Sequence, residues 1–145
     1  KIMEVELDEY FMKMIVKKQM TSLLVPVPHI GIYGYKIGKL IKYVNGNKYV
    51  IVKIIGMTHH FDFRGAYYSH GSCFGVPDFK NVSDFVKYFN NIYHYPDEDI
   101  NNIVDRESTQ YIKDTGGCMS LAFYVVETNP NDYLTLIDEE YIFGY

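Results

Sequence analysis

The sequence predicts an α+β fold: a small mixed β-barrel with two or three flanking helices. Three observations predict it. Of 145 residues, 48% are apolar and 22% charged, which is ordinary globular usage, and this length suits one domain with a core of its own. Aromatics reach 17%, all of them Tyr and Phe, beside many Ile and Val, side chains that fit a pleated, half-buried sheet. Asn45-Gly46 lies between two β-rich runs, the strongest short-range signal for a hairpin. Residues 1–145 are read as one domain, with a core over about 6–127 and a C-terminal extension over 128–145.

The elements follow in order. Residues 6–20 have helical period, with Leu7, Tyr10, Phe11, Met14 and Ile15 on one stripe. Acids in the first turn and Lys17 and Lys18 in the last suit the helix dipole. Thr21 to Val27 read as a strand, ended by Pro26 and Pro28. His29 to Tyr35 are expected as a loop with a short strand. Residues 39–44 and 48–55 form the hairpin. Residues 58–80 hold three His, three Gly and a Pro and are expected to be an irregular insert. Residues 82–93 return to helical period behind Asn81 or Ser83 as cap. A short helix is expected over Asp97 to Val104. Met119 to Glu127 read as a strong strand, Asn129 to Asp132 as a turn, and Tyr133 to Phe143 as a last strand or packed tail.

Charge is uneven along the chain. The net charge is −4 overall, but residues 10–60 carry eight Lys and no acid, and residues 61–145 carry a net −9. The far field is therefore negative and opposes strong polyanion binding, while a local basic face remains available. No apolar run reaches the roughly 20 residues that span a bilayer, so no membrane partner is expected. The first residues lack the apolar stretch of a signal peptide, and Met3 reads as a native start. Two cysteines, Cys73 and Cys118, are too few for a disulfide framework. A reducing, cytoplasmic setting is expected.

The order of elements is helix, Lys18-Gln19-Met20-Thr21, strand, loop, hairpin, insert, helix and a final strand Phe123-Tyr124-Val125-Val126-Glu127. Ile37-Gly38-Lys39 precedes the hairpin. This order resembles the ASCH superfamily of PUA-like barrels, and most closely its small bacterial members that hydrolyse N4-acylated cytidines. That family carries Gly-x-Lys-x-x-(Glu/Thr)-x-Arg after its first helix and Gly-Asp before a strand. Here Val16 stands for the Gly, Leu23 for the Arg and Lys39 for the Asp. The resemblance implies catalytic roles for Lys18 and Thr21 with a carboxylate before the helix that follows the insert. That position falls at Asp78, an Asp where the family has Glu.

Two kinds of chemistry follow. In a hydrolase, Thr21 would be a nucleophile, activated by a desolvated Lys18 acting as base, with Asp78 holding the Lys or a water. In a binding domain, Lys17, Lys18, Lys36, Lys39 and Lys42 would meet phosphates while Tyr33 and its neighbours Tyr35, Tyr43 and Tyr49 stack on bases. The resemblance implies that a cleft beside the barrel holds RNA or a modified nucleoside. The reading adopted is nucleobase or single-stranded RNA binding, with hydrolysis as the alternative on the same cleft. A third reading is a protein-interaction module, paired as a homodimer. His59, His60, His70, Cys73 and Cys118 include soft zinc-ligand types, but their spacing fits no standard zinc module. No metal and no cofactor is expected.

Overall fold

The computed structural model describes residues 2–74, 79–104 and 106–129. Five strands among these form one curled half-barrel sheet: β1 (Met3–Glu6), β2 (Ser22–Pro26), β3 (Leu40–Asn45), β4 (Lys48–His60) and β5 (Cys118–Thr128). Their spatial order is β1-β3-β4-β5-β2. The strand pair β1–β3 is parallel and the others are antiparallel, so the sheet is mixed. It is flanked by α1 (Glu9–Val16), α2 (Pro28–Tyr33), α3 (Phe63–His70), α4 (Val82–Ile92) and α5 (Gln110–Asp114). The predicted class and barrel-like sheet hold; α2, α3 and α5 are short additions to the helices that periodicity anticipates.

The β3–β4 hairpin forms where expected, with a loop one residue shorter than the three residues left between the expected strands. Asn45 pairs with Lys48, so the loop is Gly46-Asn47. Gly46 takes φ +61°, the first loop position of a II′ turn, where glycine meets no Cβ penalty. Two bulges then curl the long β4–β5 pair. The extra residues are Val126 on β5 and Ile55 on β4, and both side chains are about half exposed. Bulges raise local twist and bend the sheet, which turns these strands toward closure. Residues of the two edges, β1 and β2, line one concavity at the seam between them, together with Phe11 of α1.

The core is largely aromatic where α3 and α4 pack on the sheet. Phe63, Phe74, Phe85 and Phe89 are buried, with Phe85 and Phe89 ring centroids 4.8 Å apart. Asn81 caps α4, its Oδ1 accepting the Asp84 amide at 2.9 Å. Strand β2 is buried along its whole length.

Three local expectations are corrected. Residues 28–33 are a helix rather than a loop with a strand. Pro28 opens it and Gly34 closes it at φ +65°, the asymmetric punctuation of a helix. The expected irregular insert is mostly ordered: β4 runs to His60, then come α3 and a 3-10 turn over Gly71–Cys73. Asp62 starts α3 by accepting the Gly65 amide at 2.7 Å. The short helix expected over 97–104 reduces to a 3-10 turn over Ile100–Asn102. Glu98 does not serve a helix of its own; its carboxylate accepts from the Tyr95 and Gln110 amides and so helps to start α5. The strand or tail expected over Tyr133 to Phe143 lies outside the described residues. No helix among those described is long and apolar enough to cross a membrane.

Candidate functional site

The first helix ends in a way that fixes Lys18. The Lys18 amide donates to the Ile15 carbonyl and the Gln19 amide to the Met14 carbonyl, each at 3.0 Å. This is the paired bonding of a Schellman stop, which requires a left-handed residue just past the helix. Lys18 supplies it at φ +61°, a position that usually takes Gly or Asn because any Cβ is strained there. The next residues are pinned on both sides. Met20 bridges Phe74. The Thr21 amide donates to the Cys73 carbonyl at 2.9 Å, and the Thr21 carbonyl accepts the Phe123 amide at 3.1 Å.

The result is a concave site of about 260 Å³ lined by Lys18 and Thr21 together with Ile15, Met20, Phe123, Tyr124 and Val125. Lys18 and Thr21 are both exposed at its mouth. Tyr124 is 49% exposed and lies opposite Lys53 across the β4–β5 pair. The site is therefore lined by residues that carry an ammonium, a hydroxyl and an aromatic ring, and Lys53 is the cross-strand neighbour of that ring's residue. Sequence reasoning singled out Lys18 and Thr21 but missed Tyr124 as a lining residue. The signal was present: buried Phe123 and exposed Tyr124 alternate on a strand.

The other anticipated residues are placed elsewhere. Asp78 lies outside the described residues. Lys36 and Lys39 are exposed on the turn before β3, and Lys17 sits half-buried at the α1 C-cap. Lys42 is 3.9 Å from the Glu4 carboxylate and 4.6 Å from the Tyr49 ring centroid. Of the tyrosines offered as stacking platforms, Tyr35 and Tyr43 are core residues, 5% and 0% exposed. Tyr33 lines a different concavity, at the β1–β2 seam. Among the described residues lining the Lys18–Thr21 site there is no carboxylate. Exposed Lys18 also lacks the burial that the base role presumes.

The His and Cys side chains are spread over separate partners. His59 Nε2 lies 2.6 Å from the Gly116 carbonyl, and His60 Nε2 lies 3.1 Å from Ser120 Oγ. The His60 and His70 rings are 5.5 Å apart. Burial pushes the Cys118 thiol up to about 12. No group of three His, Cys, Asp or Glu converges on a point among the described residues.

His60 instead makes stability depend on pH. Burial first, then the charges of His70 and His59, lower its pKa below the ordinary 6.5. Burial lowers His29 as well. As pH falls through 6.5, the unfolded chain takes up protons that the folded chain resists. Stability therefore drops with falling pH in that window. The urea midpoint should be level above about pH 7.5 and fall between about pH 7 and 5. His60→Gln should flatten part of that fall, and a wild-type midpoint unchanged across the window would refute the assignment.

No protein-family model and no curated protein matches the chain. Two solved structures resemble its fold. One is the crystal structure of hypothetical protein PH0355, 18% identical, with a TM-score of 0.61, covering 85% of this chain and 97% of that one. The other is the solution NMR structure of protein PF0455 from Pyrococcus furiosus, 19% identical, with a TM-score of 0.55, covering 88% of this chain and 99% of that one. These likenesses support the fold and name no activity.

Proposed function

We propose that the chain is an ASCH-like, PUA-like domain that binds a nucleobase or short single-stranded RNA at the Lys18–Thr21 site. The observation that carries this reading is the meeting of Lys18, Thr21 and Tyr124 in one concavity on the side of the half-barrel. An aromatic face can stack on any base, a contact worth about 1–3 kcal/mol. Lys18 and Lys53 would meet the flanking phosphates, and the Thr21 hydroxyl can donate to or accept from a base edge. With about two phosphate contacts on a negative protein, binding is weak and salt-sensitive, the log–log slope being about −1.4 for a single strand.

The test is fluorescence anisotropy of a labelled oligoribonucleotide at low and high salt. Tyr124→Ala should weaken binding by about 5- to 150-fold, the equivalent of one lost stack. Lys18→Gly is the sharper variant because it separates binding from folding. It removes the ammonium and relieves left-handed strain, so stability should rise by about 0.5–1 kcal/mol while affinity falls. Lys36→Ala, away from the site, should change little. Absence of binding at low salt, or binding indifferent to both Tyr124→Ala and Lys18→Gly, sinks the reading.

The alternative on the same site is hydrolysis of an N4-acylated cytidine or of RNA, with Thr21 as nucleophile and Lys18 and Asp78 as its activating pair. Turnover of N4-acetylcytidine, abolished by Lys18→Ala and by Thr21→Ala, would favour it over binding alone.

A further inference from the structure

A second concavity, of about 210 Å³, opens at the seam between the edge strands β1 and β2. It does not share a lining residue with the Lys18–Thr21 site. Its walls are aromatic: Phe11, His29, Tyr33, Tyr35, Tyr43 and Tyr93. Leu23 and Val25 of β2 complete the apolar surface. The rings are braced against one another. His29 sits edge-on to Tyr33 at 5.3 Å and to Tyr93 at 5.7 Å, and Tyr33 to Tyr35 at 6.1 Å. Such braced rings lose little freedom when a ligand arrives.

The hydroxyls in this pocket do not balance. Tyr93 donates to the Leu24 carbonyl at 3.0 Å, so its proton is used. Tyr35 and Tyr43 face each other at 2.7 Å, and both are more than nine-tenths buried. Two O–H groups meet in a single bond, so one proton is consumed and the other has no acceptor among the described residues. A buried donor without a partner is costly, and the two tyrosines that share this bond both line a cavity large enough for a ring; a 150 Å³ apolar cavity already admits benzene.

The charge at the site narrows the occupant. The walls carry no Lys or Arg, and burial lowers the His29 pKa, which favours the neutral ring. Glu6 and Asp8 stand at the rim and are exposed. An anionic ligand would meet two carboxylates and no cation. We propose that the seam pocket binds a small, flat, uncharged ring compound that presents a hydrogen-bond acceptor to the Tyr35–Tyr43 hydroxyl pair. The aromatic walls hold the ring, and the spare hydroxyl proton selects for the acceptor.

The probes are nicotinamide, nicotinate and benzene, titrated into the full chain and followed by amide chemical shifts. Nicotinamide is a neutral ring with acceptors, nicotinate is the analogous carboxylate anion, and benzene has no acceptor. Nicotinamide should shift the amides of Val5, Leu23 and His29, and nicotinate should bind at least tenfold more weakly. The double variant Tyr35→Phe/Tyr43→Phe removes both hydroxyls and keeps both shapes, so it should fold normally. In it, nicotinamide affinity should drop about tenfold, the effect of one lost buried hydrogen bond, while benzene binding is unchanged. Leu23→Trp fills the cavity and should abolish all three. No shift at seam residues with nicotinamide, equal binding of nicotinate, or equal nicotinamide binding by the double Phe variant overturns the proposal.

Discussion

Gly117→Ala should destabilise the protein by about 3 kcal/mol or more, a fall in melting temperature of roughly 6–12 °C. Gly117 has φ +103° at the entry to β5. Its amide donates to the Ile112 carbonyl at 2.9 Å, and its carbonyl accepts the Val27 amide at 3.2 Å. A Cβ there would overlap the His60 carbonyl oxygen and lie 3.0 Å from that of Phe61. These are backbone atoms at the end of β4, so no side chain can swing aside. Two costs combine: left-handed strain, and parting of α5 and β5 from β4. Gly38→Ala isolates the first cost, since Gly38 has φ +88° but open space around its Cα. It should lose only about 1 kcal/mol. Chemical denaturation of both variants checks the pair, and equal losses would show that the close approach at Gly117 is not tight.

Phe89→Ala should cost about 3–5 kcal/mol, the range for truncating a fully buried aromatic. Phe89 is 1% exposed. Its ring centroid lies 4.8 Å from that of Phe85, 5.2 Å from Tyr88, 5.7 Å from Phe63 and 6.4 Å from Phe74. It also stacks on Tyr93 with an interplanar angle of 13°. Removing it empties the junction of α3 and α4 and takes away the ring stacked on Tyr93, which is then held by His29 and by its bond to the Leu24 carbonyl. Phe89→Leu keeps most of the buried area and should lose only about 1–2 kcal/mol, near the aromatic share. A loss under 1 kcal/mol for Phe89→Ala would mean that the cluster collapses around the gap.

Much of the sheet was legible because its signals are local. The β3 and β4 runs are β-branched, and Gly46 sits where a two-residue loop needs positive φ. The helix α4 could be read from Val82, Phe85, Val86 and Phe89 on one face behind Asn81. The helix α2 could also have been read: Pro28 and Gly34 bracket it, but the aromatic and β-branched residues between them suggest a strand. For β1 only Val5 is buried, and its pairing is a parallel contact with residues some 38 positions later. Four residues of pattern cannot announce such a partner.

The candidate site was legible only in part, for the same reason. Lys18 and Thr21 belong to one short motif, and their common pocket follows from a helix stop running straight into a strand. Tyr124 joins them through the β2–β5 pairing, about a hundred residues away in sequence. The tyrosines offered as stacking platforms show the opposite failure. Tyr35 and Tyr43 look like surface aromatics between lysines, yet their hydroxyls meet inside the barrel.

By itself the sequence determined the class, the hairpin, the strong final strand, α4 and the neighbourhood of Lys18 and Thr21. Each rests on residues within a turn or two of one another, where propensity and period speak directly. Tertiary structure alone decided which aromatic rings line pockets, which lysines are paired with acids, and that one buried hydroxyl proton finds no acceptor among the described residues. Those outcomes depend on strand register and on the curl set by two bulges, and a one-residue shift in register would turn the side chains of the shifted strand to the other face.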